Sequence, residues 1–586
     1  MAIFEEEISK KVTLDDTEPI TCHIENWKTT NGHTEFVIKV HRGPFTNETW
    51  RIQKRYNDFF KLHSQLQSSG LQLPLPPKKL IGNMEPDFIA ERQQGLQKYL
   101  NIILMNPILV SSLPARSFVD PANYCQPFSE QALQHVSLAL RGEVGWEVVG
   151  PLPDIGWRLR KHYYQVKCKS LNKEELWATW ADYGPDKYLE DKEMQAVFKS
   201  LSQIQHPYIH SLEMCLCTDV GGLVVRSFNK AGSIRDLLCG AKPKLSFMKK
   251  YGNPKGHKSF ESHKIALYGR QILEALKFLH DKGLPYGHLH TGNILIDNER
   301  IKLLDIEDGI LGVPSFYRPY FMQHKKINTL EAIDVYSFGH VLHEMTFGAP
   351  LHESVVEQLP QQDCPTHLRS VIESILSPEG CKVGVPTIDS LLMHPFFSSV
   401  ILTLEAGDRA HLKFPNTAKD HLKVISTQLE DRLREEQKIM RNQKRLVRAQ
   451  EKMSSEEEKK KQRHKFKQEQ KQAREKMRQR TIEEKDPKVN GIGGDRSESV
   501  SNTSTANSID TATPPSMSSS SVPSPPPPPP PPPAMTAPLL PATTAAVQNG
   551  GTALSNGATP QAKDRSALLG AICSFNKTAL RKTKDK

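Results

Sequence analysis

Two residues twelve positions apart, Asn293 and Asp305, carry side chains that can hold a divalent cation. Amide and carboxylate oxygens are hard ligands of the kind that magnesium prefers. Five residues before Asn293 stands His288, whose imidazole can accept a proton near neutral pH. Phosphoryl transfer uses a metal ion held beside a base. Residues 288–305 are therefore the first candidate for a catalytic site.

The residues around this pair resemble the catalytic loop of protein kinases. Tyr286–Leu295 reads YGHLHTGNIL against the kinase pattern HRDLxxxNIL, with His288 in place of the aspartate base and His290 in place of the lysine. Other kinase-like blocks follow in the expected order: His206-Pro207, Leu279-His280, Asp334–Gly339 and His394–Phe397. The resemblance covers residues 150–401 and implies a bilobal fold in which Asn293 and Asp305 are the metal ligands.

Several parts that phosphoryl transfer needs are missing from this sequence. No GxGxxG loop occurs near Gly156–His162, and Trp180 stands where the strand lysine is wanted. Glu193 lies near the position of the helix glutamate but out of register. Losing one charge-stabilising element costs about 10²–10³ in rate, and several are lost here. The sequence therefore predicts a pseudokinase that is not an enzyme and requires no cofactor.

One alternative keeps some chemistry in this domain. A weakly active or atypical serine/threonine kinase on endosomal membranes would bind magnesium-ATP weakly through Asn293 and Asp305. The other explanation for the presence of Asn293 and Asp305 is that they form hydrogen bonds within the loop, and the sequence favours neither explanation over the other.

A second set of residues can bind phosphate without a metal. Arg55 and Tyr56 follow a predicted strand, Lys78 lies in a proline-rich bend, and Arg92 lies on the next predicted helix. Arginine forks match phosphate oxygens, and a flat ring can lie under an inositol. The sequence therefore predicts a site for a phosphoinositide head group.

The blocks that carry these residues resemble the phox-homology (PX) domain over residues 14–125. They are KRYNDFF, PPKK and ERQQGLQKYL, in the order of that family. The resemblance implies that Arg55 holds the 3-phosphate of phosphatidylinositol 3-phosphate, that Tyr56 packs on the ring, and that Arg92 meets the ring hydroxyls. Lys78 would meet the 1-phosphate, with Lys79 as its rival.

The C-terminal residues form a third functional segment. Asp564–Phe575 carries four apolar residues on one helical face, and a basic extended run follows it: Leu568, Leu569, Ile572 and Phe575, then Leu580, Arg581, Lys582 and Thr583. This pattern resembles the WASP-homology-2 motif, which implies a helix bound in a groove of actin. Upstream, nine prolines at Pro525–Pro533 predict a polyproline II segment for profilin or Src-homology-3-type domains, or else a spacer.

These residues require a multidomain α+β architecture. The 586 residues divide into the following predicted parts: a PX domain with a small antiparallel sheet and helices at 14–125, a bilobal kinase-like domain at 150–401, a basic charged helix at 416–485, a disordered Ser/Pro-rich linker at 486–560, and the actin-binding motif at 561–584.

The net charge of +11 is concentrated in one segment. Residues 431–485 carry 20 Lys and Arg against 11 Asp and Glu, which gives +9. A surplus confined to one helix favours a solvated charged helix over a nucleic-acid or lipid surface. The apolar seam of Leu422, Ile425, Leu429 and Leu433 is too short to predict a coiled coil.

The remaining features indicate where the protein acts. The N-terminus lacks the basic and apolar regions of a signal peptide, no run is long enough to span a bilayer, and nine cysteines contain no CxxC pair. We therefore expect a cytoplasmic adaptor on endosomal or plasma membranes. Transmembrane receptors or ion-transport proteins are the expected class of partner.

Overall fold

The computed structural model describes residues 14–483, apart from residues 31, 44–47, 80–83, 171–174, 361–363 and 404. The linker at 486–560, the prolines Pro525–Pro533 and the actin-binding motif at 561–584 lie outside the described residues and stay predictions. Within the described part, no helix is both long enough and apolar enough to cross a membrane.

The first domain is a three-stranded antiparallel sheet covered by helices. Its elements are β1 (Ile20–Thr30), β2 (His33–Arg42), β3 (Thr49–Arg55), α1 (Tyr56–Leu66), a 3₁₀ turn (Gln67–Ser69), α2 (Pro86–Met105), α3 (Pro107–Val110), α4 (Leu113–Val119) and α5 (Pro121–Tyr124). The strand order is β1-β2-β3. Phe36, Ile38 and Val40 alternate along β2 and bury their side chains against Phe59 of α1 and Leu96 of α2.

The upper lobe of the second domain is a five-stranded antiparallel sheet. Its elements are α6 (Phe128–Arg141), β4 (Trp146–Pro151), β5 (Lys161–Cys168), β6 (Leu176–Asp182), α7 (Asp191–Leu201), β7 (Met214–Cys217) and β8 (Gly221–Ser227). The strand order is β4-β5-β6-β8-β7. Leu176, Ala178 and Trp180 point to one side of β6 and form a core with α6, so Trp177 and Thr179 point to the other side.

The lower lobe is mostly helical and carries a two-stranded β9-β10 ribbon. Its elements are α8 (Ile234–Cys239), α9 (Phe247–Tyr251), α10 (Ser262–Asp281), a 3₁₀ turn (Thr291–Asn293), β9 (Ile294–Asp297), β10 (Arg300–Leu303), α11 (Arg318–Phe321), α12 (Leu330–Phe347), α13 (Thr366–Leu376), α14 (Pro378–Val383), α15 (Ile388–Met393) and α16 (Pro395–Ser398). Asp334 of α12 accepts backbone hydrogen bonds from Tyr286 and Gly287 at 2.8 and 2.6 Å. This buried carboxylate fixes the start of the predicted catalytic loop.

A last helix, α17 (Asn416–Glu483), packs its first turns on the lower lobe. Leu422, Ile425 and Leu433 are buried there. The amide of Gln437 is also buried and donates to three backbone oxygens at 3.4, 2.9 and 2.8 Å, those of Phe321, His324 and Ile327. The apolar seam seen in the sequence therefore binds the same chain, and this part of α17 is not a coiled-coil strand.

The PX domain contacts the lower lobe directly. Met248 of α9 packs against the PX core, and Asn253 donates to the backbone oxygen of Gly70 at 3.0 Å. Asp15 lies 3.0 Å from the guanidinium of Arg318 and 3.6 Å from that of Arg432 on α17. Three parts of the chain thus meet at one buried carboxylate.

Candidate functional site

A cavity of about 130 Å³ lies between the five-stranded sheet and the lower lobe. Its upper wall is built from the side of the sheet that faces away from α6. Its lower wall comes from the predicted catalytic loop and the residues after β10. The polar side chains that line it include Arg158, Lys161, Thr179, Arg226, His290, Asn293 and Asp305.

Three carboxylates lie close together at and behind the lower wall of this cavity, and Asp305 is the one that lines it. Oxygen atoms of Asp305, Glu307 and Asp308 lie within 4.8 Å of one another, a spacing that could hold a metal ion. All three residues are buried. Whether they suit a divalent cation depends on the charges that surround them.

Three basic side chains already occupy the space around these carboxylates. Lys161 Nζ lies 2.9 Å from Asp305 and 3.0 Å from Asp308. Arg158 Nε lies 3.2 Å from Asp308, and Arg226 Nη2 lies 2.5 Å from Glu307. Each carboxylate thus has a basic partner.

The set therefore contains three negative and three positive charges. Burial alone would lower the pKa of Lys161, but Asp305 and Asp308 raise it, so the ammonium keeps its charge. A divalent cation would have to displace these partners and would leave buried positive charge without compensation. The residues present do not fit a magnesium ion.

The residues predicted to be degenerate catalytic positions are also engaged. His288 Nδ1 lies 3.0 Å from a guanidinium nitrogen of Arg158, so its lone pair accepts that hydrogen bond. Burial, Arg158 and Lys161 lower the pKa of His288 well below its usual value. His290 Nδ1 accepts from the backbone N–H of Gly292 at 3.1 Å. Neither ring has a free lone pair on Nδ1 with which to act as a base.

Asn293 lines the cavity and also hydrogen-bonds within its own loop. Its amide donates to the backbone oxygen of His288 at 3.2 Å. Asp305 has a φ angle of +56°, a left-handed conformation that non-glycine residues rarely adopt. Each of the two residues thus has a contact within the protein, through Asn293 Nδ2 and the Asp305 carboxylate, and metal ligation by this pair stays a prediction.

The second candidate site lies on the PX domain. Arg55 ends β3 and Tyr56 begins α1, so the strand-to-helix junction places them side by side. The Tyr56 hydroxyl donates to the backbone oxygen of Pro76 at 2.5 Å, which ties the proline-rich bend to α1. The guanidinium of Arg92 lies 4.4 Å from the Tyr56 ring and donates to the oxygen of Pro77 at 3.1 Å. The structure thus brings Arg55, Tyr56 and Arg92 to one place beside this bend.

Not every donor beside this bend has a partner within the protein; we call this place the PX pocket. Arg55 is 57% exposed, and the Nε of Arg92 is buried with no hydrogen-bond partner among the described residues. Lys79 lies 4.1 Å above the Phe88 ring and 4.0 Å from Glu85, whereas Lys78 is exposed and makes no ion pair within the described part. These positions keep Lys78 as the freer of the two candidate lysines.

Comparisons with known proteins agree with this two-part organisation. A family model for the PX domain matches residues 42–122, and one for the protein kinase domain matches residues 166–379. The chain is 49% identical over 438 residues to the "PX domain-containing protein kinase-like protein" of Mus musculus, covering 75% of each chain. This chain belongs to the PX domain-containing protein kinase-like family.

More distant relatives carry other names. The "Slowpoke-binding protein" of Drosophila melanogaster is 32% identical over 325 residues, covering 50% of this chain and 61% of that protein. The "Probable inactive serine/threonine-protein kinase slob2" of Dictyostelium discoideum is 31% identical over 289 residues, covering 47% of this chain and 48% of that protein. The PX domain and the kinase-like domain predicted from the sequence are confirmed, as is the mixed helix-and-sheet fold.

For this family member, one predicted position needs correction. Trp180 does not face the cavity, because it points to the outer side of β6, where it is fully buried and stacks on His135 at 5.1 Å. Thr179 faces the cavity instead. The nearby lysine comes from the neighbouring strand, where Lys161 pairs across from Ala181. Sequence reasoning missed Lys161 because its role depends on strand pairing.

Glu193 proves to be unavailable to the cavity, in line with its register in the sequence. Its carboxylate accepts from the backbone N–H of Glu190 at 2.9 Å and lies 3.5 Å from His421 of α17. It therefore belongs to the start of α7 and the contact with α17, and it does not pair with Lys161.

Proposed function

We propose that this chain is a peripheral membrane adaptor that recognises a phosphoinositide through its PX domain and presents a catalytically inactive kinase-like domain to partners. The observation that carries the proposal is the exposed guanidinium of Arg55 beside Tyr56 and Arg92. Exposed Arg55 offers N–H groups to phosphate oxygens, and a shift of the Arg92 side chain would bring its unpartnered Nε, which is buried in this structure, to the ring hydroxyls. Phosphatidylinositol 3-phosphate is the proposed ligand, with Lys78 on its 1-phosphate.

The neutral ion network supports the inactive part of this proposal. Phosphoryl transfer relies on magnesium ions to offset charge on the phosphates. Here Lys161, Arg158 and Arg226 take up the carboxylates that would hold such an ion. A weakly active serine/threonine kinase would need this network to open before a metal could enter.

The proposed partners follow from the rest of the chain. Residues 561–584 are proposed to bind actin, and Pro525–Pro533 to bind profilin or Src-homology-3-type domains. One relative is named for binding Slowpoke, which supports a partner-binding role for the kinase-like domain. Transmembrane receptors or ion-transport proteins remain the proposed class of partner, on the cytoplasmic side of endosomal or plasma membranes.

Vesicle flotation tests the membrane part. The full chain is expected to float with vesicles that contain phosphatidylinositol 3-phosphate and to remain unbound with phosphatidylinositol alone. Arg55→Ala removes a charge-assisted contact and should weaken binding about 10- to 100-fold. Arg51→Ala is the matched control, because Arg51 lies on the same strand, is 62% exposed and pairs with Glu25 outside the pocket. Equal binding by Arg55→Ala and the parent chain would contradict the assignment.

A further inference from the structure

An acidic residue lies beside the arginine that the proposed lipid site depends on. Glu35 of β2 pairs directly across from Arg55 of β3 in the sheet register. Its Oε1 lies 3.5 Å from Arg55 Nε and 3.0 Å from His33 Nε2. The Glu35 side chain is 22% exposed against 57% for Arg55, so the carboxylate lies at the inner edge of the guanidinium.

This contact has two opposite effects on a phosphate that binds Arg55. Glu35 helps to orient the guanidinium, but a partly exposed ion contact of this length contributes little. Glu35 also repels the phosphate, which carries about −1.5 to −2 charges near neutral pH. Because the second effect involves the larger charge, repulsion dominates and Glu35 lowers the affinity of the pocket.

The same repulsion grows with the number of phosphates on the ring. Charges interact over a Debye length of about 8 Å at physiological salt, so a second phosphate on the same inositol ring also lies in the field of Glu35. Lys78 is assigned to the 1-phosphate, and the other two nearby cations are already engaged within the protein. Arg92 is bound to the Pro77 oxygen between the rings of Tyr56 and Phe88, and Lys79 lies close to Glu85.

We propose that Glu35 sets the selectivity of the PX pocket by disfavouring head groups that carry a second ring phosphate. This inference rests on the proposed phosphoinositide binding. Glu35 then acts as a specificity residue. It lowers the affinity of the pocket for both lipids, and it lowers the affinity for the doubly phosphorylated lipid more.

The test compares the full chain with Glu35→Gln on two kinds of vesicle, one with phosphatidylinositol 3-phosphate and one with phosphatidylinositol 3,5-bisphosphate. Removing one charge about 6 Å from a phosphate should strengthen binding about threefold for the first lipid and about tenfold for the second. Glu25→Gln is the matched control, since Glu25 is also 22% exposed and pairs with Arg51 at 2.7 Å away from the pocket. It should bind both vesicles like the parent chain.

The outcomes separate this inference from the function on which it rests. If Glu35→Gln binds both lipids no more tightly than the parent, or gains equally on both, the selectivity role is overturned, while loss of binding in Arg55→Ala still upholds the lipid site. If Arg55→Ala also binds like the parent, the lipid site itself is wrong. Thermal unfolding of Glu35→Gln should match that of Glu25→Gln, which shows that altered binding does not come from altered folding.

Discussion

The PX pocket and the cavity of the kinase-like domain are built from the same kinds of side chain but are balanced differently. Both collect arginine, lysine and aromatic residues. In the pocket, Arg55 is mostly exposed and has one ion contact at 3.5 Å. In the cavity, Lys161 is 2% exposed and pairs with two carboxylates at 2.9 and 3.0 Å. In the first region Arg55 and Lys78 are exposed, whereas in the second region the basic residues are part of the protein interior.

The two regions differ in whether protein groups or water surround the charged side chains. A buried charge is tolerated only when its partners remain, so the six-residue network of the cavity is stable as a set. An exposed arginine stays hydrated and can exchange water for a phosphate at low cost. The composition of a pocket thus predicts ligand binding less well than its internal charge balance.

The largest expected effect comes from breaking the network in the cavity. Lys161→Met leaves Asp305 and Asp308 buried without their shared partner, and should lower the free energy of unfolding by about 3–5 kcal/mol. Lys167→Met is the matched control, because Lys167 lies on the same strand and is exposed. Urea unfolding of both variants measures the difference. Equal stability of the two variants would show that Lys161 is no more tightly held by its partners than an exposed lysine, which would contradict the contrast between the cavity and the PX pocket.

Ligands should produce the next largest effect, and only in one region. A soluble short-chain phosphatidylinositol 3-phosphate at about 100 times its dissociation constant should raise the free energy of unfolding by about 2.7 kcal/mol. Magnesium-ATP at millimolar concentration should leave the unfolding temperature unchanged, because the carboxylates of the cavity are already paired. Urea unfolding with and without the lipid measures the first effect, and differential scanning fluorimetry measures the unfolding temperature with magnesium-ATP. A rise with magnesium-ATP would favour the weakly active kinase instead.

Arg92 is intermediate between the two regions and should give the smallest effect. It is buried between two rings like a cavity residue, yet its Nε has no partner among the described residues. Arg92→Gln should therefore lower both the free energy of unfolding, by about 1–2 kcal/mol, and vesicle affinity, by about tenfold. Lys98→Gln on the exposed side of α2 serves as the control. If Arg92→Gln lowers only the free energy of unfolding, Arg92 is a structural residue like those of the cavity. If it lowers only vesicle affinity, Arg92 is a ligand-binding residue like Arg55.

The sequence predicted the parts whose geometry is local. Arg55 and Tyr56 are adjacent in the chain, so a strand followed by a helix was enough to place them together. The catalytic-type loop is also one continuous segment, so the order of its histidines and its asparagine is enough to identify it. Local patterns like these need no knowledge of distant contacts.

Contacts between segments that are far apart in the sequence could not be predicted from local patterns. A one-residue shift in β6 moves a side chain to the opposite face, so the sequence pattern that puts Trp180 at the position of the strand lysine misses that Thr179 is the residue facing the cavity. Lys161 enters the network only because β5 pairs with β6. The seam on α17 was visible as Leu422 and its neighbours, but its partner lies in the lower lobe, far away in sequence.

The contact between the PX domain and the lower lobe bears on how a membrane-bound chain meets its partners. Asn253 donates to the backbone oxygen of Gly70, and Asp15 joins Arg318 to Arg432, so the two domains share polar contacts, among them the buried carboxylate of Asp15. If the PX domain holds a lipid as proposed, that contact would also fix the orientation of the kinase-like domain above the bilayer. Partners embedded in the same membrane would meet one face of that domain at a high effective concentration, with less rotational entropy to lose on binding.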